Sequence, residues 1–215
     1  MKRISILGST GSIGTQALDV IRHNRDRFSV VGLSANRNVE LLYQQIAEFK
    51  PLMVCVTDQS AAKELEVKLA DRRVAIVTGA QGLIELSSLD EADTVLTSVV
   101  GIAGLCPTLN AIEHGKDVAL ANKETLVAGG PVIKKALASL NSKLVPVDSE
   151  HCAVFQCLQC TNNRKRELKR ILLTASGGPF RGRDREGLKD VTVEQALKHP
   201  RWNMGRKISI DSATL

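Results

Sequence analysis

The sequence predicts an α/β chain: a doubly wound, mostly parallel sheet, followed by the start of a second α/β catalytic domain. Three observations carry that reading. Short β-rich apolar runs alternate with helical patterns over residues 1–147, as βαβ units require. A glycine-rich turn, Gly8-Ser9-Thr10-Gly11-Ser12-Ile13-Gly14, joins the first apolar run to the first helical pattern. After Val147 the regular alternation gives way to a Gly- and charge-rich texture, which places a domain boundary between 147 and 148.

Taken in order, Arg3–Leu7 reads as a strand, and Ile13, Ala17, Leu18 and Ile21 follow at helical spacing. Phe28–Leu33 is the next strand and Val39–Phe49 the next helix. Leu52–Val56, Val74–Val77 and Thr94–Val100 have strand character, with helical stretches between them. Asp117–Ala121 and Lys143–Val147 close the series around a helix rich in Ala, Leu and Lys. Beyond it the pattern predicts a helix over His151–Cys160, a basic loop at Arg164–Arg170 and a strand at Arg170–Thr174. A short helix within Asp190–Lys198 and a strand at Lys207–Asp211 follow.

Composition bounds the function. The chain has 215 residues and a formal net charge of +6, with 43% apolar and 24% charged residues, which excludes wholesale disorder. No apolar run approaches the roughly 18 residues a membrane span needs, and Met1-Lys2-Arg3-Ile4 has no secretory character. The basic balance is mild. Its one dense run, Arg164-Lys165-Arg166-Glu167-Leu168-Lys169-Arg170, reads as a solvated loop, and only six residues are aromatic, so no nucleic-acid partner is expected. Five cysteines, an odd number set mostly among apolar neighbours, read as reduced thiols of a cytoplasmic protein. Cys157 and Cys160 have CxxC spacing, but no second Cys or His pair stands at zinc-finger distance, so they read as half-buried helix residues.

The glycine turn is the first chemical signal. Backbone N–H groups and the positive end of a helix can hold a pyrophosphate there, and Gly8, Gly11 and Gly14 approximate the spacing of a Rossmann-like dinucleotide fingerprint. After the second strand, where an NAD enzyme places an acid for the ribose 2′-hydroxyl, the sequence reads Ser34-Ala-Asn36-Arg37-Asn38, with no acid before Glu40. Arg37 can pair with a 2′-phosphate, which favours NADP(H).

Asp148-Ser149-Glu150-His151 stands at the C-terminal end of a strand, where such sheets bind ligands. In extended chain, residues two apart point the same way, so Asp148 and Glu150 could share a hard cation; helix capping is the other reading. Thr174-Ala-Ser176-Gly177-Gly178-Pro-Phe180 offers a hydroxyl and small residues to an anion, or is a plain turn. His199, Trp202 and Met204 share a polar loop that would suit a lid.

Together these motifs resemble the 1-deoxy-D-xylulose 5-phosphate reductoisomerase family. The segments that carry the resemblance are GSTGSIG (8–14), LANKE (120–124), PVDSEH (146–151), SGGPFR (176–181), HPxWxMGRKIS (199–209) and DSAT (211–214). The resemblance implies that Thr10, Gly11, Ser12 and Ile13 cradle the NADPH phosphates and that Asn36, Arg37 and Asn38 surround the 2′-phosphate. It places Asn122, Glu124 and Gly205 near the cofactor and Lys123 on the substrate. Asp148 and Glu150 would hold a divalent cation (Mg, Mn or Co), with Ser149 and Glu150 also on the substrate. Ser176, His199 and Ser212 would bind the sugar phosphate, under Trp202 and Met204. The implied reaction rearranges 1-deoxy-D-xylulose 5-phosphate on the metal and reduces it with NADPH to 2-C-methyl-D-erythritol 4-phosphate, in non-mevalonate isoprenoid synthesis. Lys123 and Glu150 would handle protons. A homodimer is implied for the full-length protein. The family's Asn-Lys pair and third metal carboxylate are expected beyond DSAT, so the sequence reads as an N-terminal portion with a complete cofactor domain and an incomplete active site.

Two rivals stay open on the residues alone. Another NADP-dependent Rossmann oxidoreductase, such as a semialdehyde dehydrogenase, needs a nucleophilic Cys in a loop near a His, which Cys106 and Cys152 do not obviously supply. A non-catalytic nucleotide-binding module would bind the cofactor and turn nothing over.

Overall fold

In the computed structural model the described residues are 1–69, 74–160, 163–203 and 205–214, and they fall into two compact units, Met1–Cys157 and Leu158–Leu215. The first unit alternates strand and helix throughout: β1 (Lys2–Leu7), α1 (Ser12–Arg22), β2 (Phe28–Ala35), α2 (Val39–Phe49), β3 (Met53–Val56), α3 (Gln59–Lys68), β4 (Ala75–Thr78), α4 (Gly79–Ser87), β5 (Thr94–Thr97), α5 (Leu105–Glu113), β6 (Asp117–Leu120), α6 (Glu124–Ser139), β7 (Leu144–Pro146) and α7 (Ser149–Leu158). The seven strands form one sheet in the order β4-β3-β2-β1-β5-β6-β7, every pair parallel. The order reverses beside β1, so this is the doubly wound, Rossmann-like sheet that the alternation predicts.

The strands read as near-continuous apolar runs because both faces of the sheet are covered. Neighbouring residues point to opposite faces. Ile6 joins a core with Leu18 and Ile21 of α1, Leu42 and Ile46 of α2, and Leu65 of α3. Its neighbour Leu7 joins a second core with Leu83 and Leu86 of α4, Ile112 of α5 and Ile133 of α6. Fully burying each such side chain stabilises the fold by about 1.5–3 kcal/mol, so both sets of helices are held firmly. β5 stops at Thr97, short of the expected Val100: Ser98 still bonds the Leu7 carbonyl through its N–H (2.9 Å) and its hydroxyl (2.7 Å), and the chain then enters a 3-10 turn at Gly101–Gly104.

The second unit departs from expectation. Its regular elements are α8 (Arg164–Glu167), a 3-10 turn at Glu186–Leu188, α9 (Val193–Leu197) and α10 (Arg206–Asp211), with no strand among the described residues. The strand expected at Arg170–Thr174 is not formed. Ile171, Leu172 and Leu173 are 52%, 70% and 74% exposed, and a lone β-rich run has nothing to pair with. The strand expected at Lys207–Asp211 is the helix α10 instead. Ile208 and Ile210 suggested a period of two, yet both are half exposed, while Ser209, Ser212 and Ala213 are buried at helical spacing. Thr192 caps α9 and Gln195 completes a capping box, inside the span expected for that helix. The helix expected to open the second domain is α7, which lies in the first unit and so carries that unit past residue 147.

Candidate functional site

In a parallel sheet all strands end on one edge, and the loops leaving β1, β2, β6 and β7 carry the predicted motifs to it. The glycine loop leaves β1 through Gly8, whose φ of +91° favours glycine. A Cβ on Gly14 would stand 2.5 Å from Ser9 Cα and 2.8 Å from Ser9 C, and closer still to the Gly8 carbonyl oxygen. Only a glycine lets the first turn of α1 settle this near the loop. Gly11 is the N-cap of α1 and supplies no side-chain cap, and the first turn holds no acidic residue. The N–H groups of Ser12, Ile13 and Gly14 therefore end a helix whose positive end is open to an anion. Thr10 is half-buried, whereas Ser12 and Ile13 are exposed.

A network that the sequence reading missed fixes this loop. The Ser34 hydroxyl accepts from Gly8 N (2.8 Å), and the Ser34 carbonyl accepts from Ser9 N (2.7 Å). The Ser9 hydroxyl donates to Gln45 Oε1 (2.7 Å), and Gln45 Nε2 donates to the Ser9 carbonyl (3.0 Å). Ser9, Ser34 and Gln45 are all buried, so the loop is tied to β2 and α2 from beneath.

At the end of β2, Asn38 caps α2, accepting from Leu41 N (3.1 Å), and Asn36 Oδ1 accepts from the Thr57 hydroxyl (3.0 Å). Arg37 is 79% exposed and donates from Nε to Asp58 Oδ2 (2.8 Å). An acid therefore does stand beside Arg37. It comes from the loop after β3, the neighbouring strand, and not from Arg37's own loop, where the sequence reading looked. Asp58 caps α3 through Oδ1. Hydrogen bonds from Ser60 and the Ala61 amide, with the Arg37 guanidinium, hold its carboxyl well below the usual carboxylate range. Its place just after an apolar strand and before Ser60 is a cap signal that could have singled it out.

After β6, Asn122 is 2% exposed and its amide is fully engaged. Nδ2 donates to the Val99 and Gly101 carbonyls (2.8 Å each), and Oδ1 accepts from Thr125 N (2.9 Å) and the Thr125 hydroxyl. Its backbone N–H is also taken, by the Thr97 carbonyl (3.2 Å), so any contact it makes with a ligand is left to its backbone carbonyl. Glu124 opens α6 beside it. Lys123 Nζ donates to Asp148 Oδ2 (3.3 Å), and His151 Nδ1 lies 3.5 Å from Asp148 Oδ1. These three line a cavity of about 280 Å³ with Leu120, Leu126, Leu144, Pro146 and Phe155. Ser149 and Glu150 are exposed in the first turn of α7, so Asp148 and Glu150 are not two residues of one extended run. The helical turn removes the shared direction that spacing suggested. Among the described residues no cluster of three or more His, Cys, Asp or Glu assembles. Asp148 and Glu150 supply hard oxygen ligands, which fit part of a divalent cation's set and do not complete it.

In the second unit two buried polar atoms, Ser176 Oγ and His199 Nε2, have no hydrogen-bond partner among the described residues. His199 Nδ1 accepts from Arg201 N (3.2 Å) and Trp202 N (3.0 Å), which assigns the proton of the neutral ring to Nε2. Both orphans are thus hydrogen-bond donors waiting for an acceptor. Gly178 packs against the Ser212 carbonyl, and Phe180 N donates to the Ala213 carbonyl (2.8 Å), so the Ser176 and Ser212 segments come together. The Ser212 hydroxyl donates back to the Ile208 carbonyl (2.8 Å) and is engaged in its own helix. Trp202 is 60% exposed, Gly205 is the N-cap of α10, and Met204 lies outside the described residues.

None of the five cysteines forms a disulfide. Cys55 is buried, which pushes its thiol up to about 12, with Glu85 adding to the shift. Cys106 and Cys152 sit on the helices α5 and α7, not in loops. Cys157 and Cys160 are exposed rather than half-buried, and Cys160 lies past the end of α7.

The chain matches the family model for 1-deoxy-D-xylulose 5-phosphate reductoisomerase over residues 4–130, and that for the enzyme's C-terminal domain over residues 144–215. It is 54% identical over 215 residues to the reductoisomerase of Thermoanaerobacter pseudethanolicus, covering 100% of this chain and 55% of the relative. It is 54% identical over 217 residues to that of Clostridium perfringens, covering 100% of this chain and 56% of the relative. The solved reductoisomerase of Zymomonas mobilis in complex with NADPH superposes with a TM-score of 0.88 at 42% identity, over 99% of this chain and 54% of that one. A reductoisomerase in complex with NADPH, fosmidomycin and magnesium superposes with a TM-score of 0.88 at 36% identity, with the same coverage of 99% and 54%. The chain spans about half the length of these relatives. No helix among the described residues is long and apolar enough to cross a membrane. With both of its segments matched by the models of one enzyme, the chain belongs to the 1-deoxy-D-xylulose 5-phosphate reductoisomerase family.

Proposed function

We propose that the protein converts 1-deoxy-D-xylulose 5-phosphate to 2-C-methyl-D-erythritol 4-phosphate, by rearrangement and NADPH-dependent reduction, in non-mevalonate isoprenoid synthesis. In this reading residues 1–147 bind NADPH and residues 148–215 carry metal and substrate groups, within a cytoplasmic homodimer of the full-length protein. The observation that carries the reading is one shared edge. The loops after β1, β2, β6 and β7 bring the open end of α1, Arg37, Lys123 and Asp148 to the same side of the sheet. Relatives solved with NADPH and magnesium support the choice of ligands.

When bound, a divalent cation (Mg, Mn or Co) supplies a Lewis acid for the ketone and neighbouring hydroxyl of the substrate, and NADPH supplies the hydride. Asp148 and Glu150 offer that cation its carboxylate oxygens. Lys123 steadies Asp148 and has two further N–H donors for a substrate oxygen, which places a proton beside the reacting groups. The orphan donors Ser176 Oγ and His199 Nε2 suit phosphate oxygens. Exposed Trp202 suits a cover that excludes water.

The test is NADPH oxidation by the full-length protein with 1-deoxy-D-xylulose 5-phosphate and Mg²⁺ or Mn²⁺. Oxidation that requires both substrate and cation is expected, and Glu150→Gln should abolish the response to the cation. NADPH binding without turnover would sink the reading in favour of a nucleotide-binding module.

A further inference from the structure

The arginine that the NADPH reading needs is not a loose surface side chain. We infer that Asp58 is a specificity-determining positioning residue: it grips Arg37 at Nε, presents the two terminal nitrogens to the 2′-phosphate, and so sets the preference for NADPH over NADH. The inference rests on the nucleotide reading above and goes beyond it to a residue from another strand.

An arginine 79% exposed would ordinarily sample many rotamers and lose that freedom on binding. Here the Asp58 carboxylate holds the inner end of the guanidinium, with 2.8 Å between Nε and Oδ2. Nη1 and Nη2 make no hydrogen bond among the described residues, which leaves a planar fork of the kind that takes a phosphate through two parallel bonds.

Asp58 can do this because it is itself fixed. It is 18% exposed, and its other oxygen, Oδ1, accepts from Ser60 N and Ala61 N (3.1 Å each) and from the Ser60 hydroxyl (2.7 Å). The two loops are also stitched through the backbone. Thr57 N donates to the Ala35 carbonyl (3.1 Å) and Asp58 N to the Asn36 carbonyl (3.3 Å), while β2 and β3 stay in register up to Ala35 and Val56. The same geometry disfavours NADH. A carboxylate near this place could accept a ribose 2′-hydroxyl, but both Asp58 oxygens are already engaged, by the cap and by Arg37.

The experiment measures dissociation constants for NADPH and NADH by cofactor fluorescence, on the full-length protein and its Asp58→Asn, Arg37→Ala and double variants. Asparagine keeps the Oδ1 cap and removes the charge at Arg37, so α3 stays capped. Asp58→Asn is expected to weaken NADPH about three- to tenfold and NADH less than about twofold, with an unchanged melting temperature. In the double variant NADPH should bind no more weakly than in Arg37→Ala alone, since Asp58 acts only through that arginine. Equal weakening of both cofactors, tighter NADPH, no change, or a loss that adds to that of Arg37→Ala would each overturn the inference. If Arg37→Ala itself fails to discriminate between the cofactors, the nucleotide reading has failed, and that outcome is distinct from a silent Asp58→Asn beside a selective Arg37→Ala.

Discussion

One added methyl group at Gly14 should abolish nucleotide binding while leaving the chain folded. In an ordinary helix Gly→Ala stabilises by about 1 kcal/mol. Here the new Cβ would meet Ser9 Cα at 2.5 Å and Ser9 C at 2.8 Å, whereas comfortable carbon contacts lie at about 3.5–4.0 Å. These are backbone atoms, anchored through Ser34 and Gln45, and cannot swing aside as a side-chain tip would. The first turn of α1 must retreat by roughly 1 Å. Such overpacking costs about 1–3 kcal/mol, and the helix-propensity gain offsets part of it, so the net loss is about 0–2 kcal/mol. At about 2–4 °C per kcal/mol for a chain of this size, the melting temperature should fall by no more than about 8 °C. Nucleotide binding is far less tolerant. A hydrogen bond is made near 2.9 Å, and losing two charge-assisted bonds of about 1.5–3 kcal/mol each weakens NADPH by about 100-fold or more. Fluorescence titration of NADPH beside thermal melts would decide it. A folded Gly14→Ala protein that binds NADPH within threefold of the parent would refute the reasoning that this glycine shapes the loop.

Other outcomes follow from single contacts. Ser176→Ala removes a buried hydroxyl with no partner among the described residues, so it should not lower the melting temperature, yet in the full-length protein it should raise KM for the sugar phosphate about tenfold. The Asp93 carboxyl is pulled down to about 2, chiefly by its hydrogen bonds from Arg3. Its stabilisation is therefore complete above the unfolded value near pH 3.9 and is lost as pH falls through about 2. The melting temperatures of the parent and Asp93→Asn should differ by a constant amount from pH 8 to about 5 and converge towards pH 2, whereas a gap that widens in acid would reverse the sign. Buried Cys55 should resist iodoacetamide in the native protein while exposed Cys106 and Cys157 react, as mass spectrometry before and after unfolding can show.

The sheet was legible because its strands are self-announcing. Runs such as Phe28–Ala35 and Met53–Val56 are buried on both faces, and the helix Val39–Phe49 stands where its periodicity placed it. The second unit was harder because Ile171–Leu173 and Ile208–Ile210 are apolar without being buried, so pattern and environment disagree there. Local sequence does reach the glycine loop and Arg37, each of which makes sense beside its immediate neighbours. Asp58 escaped notice because its meaning depends on β3 lying next to β2, which no window along the chain displays. Gln45 escaped for the same reason, being one more polar residue in a helix until the fold sets it under Ser9. The shared direction of Asp148 and Glu150 failed on a boundary, since α7 begins between them.

The position of β1 has a consequence for how the protein emerges from the ribosome. Of the seven strands, the one made earliest is the central one, and its two neighbours, β2 and β5, are supplied far apart in time. Parallel pairing with Phe28–Ala35 is available early, but the opposite edge waits for Thr94–Thr97. At roughly 5–20 residues per second, the stretch between them takes several seconds to synthesise. Throughout that interval Leu7 lacks the Val95 and Ile112 it will pack with, and the bare edge of β1 can pair with any other strand. A holding chaperone, or rapid translation through residue 97, would shorten or cover that exposure, a need that the finished protein's stability does not reveal.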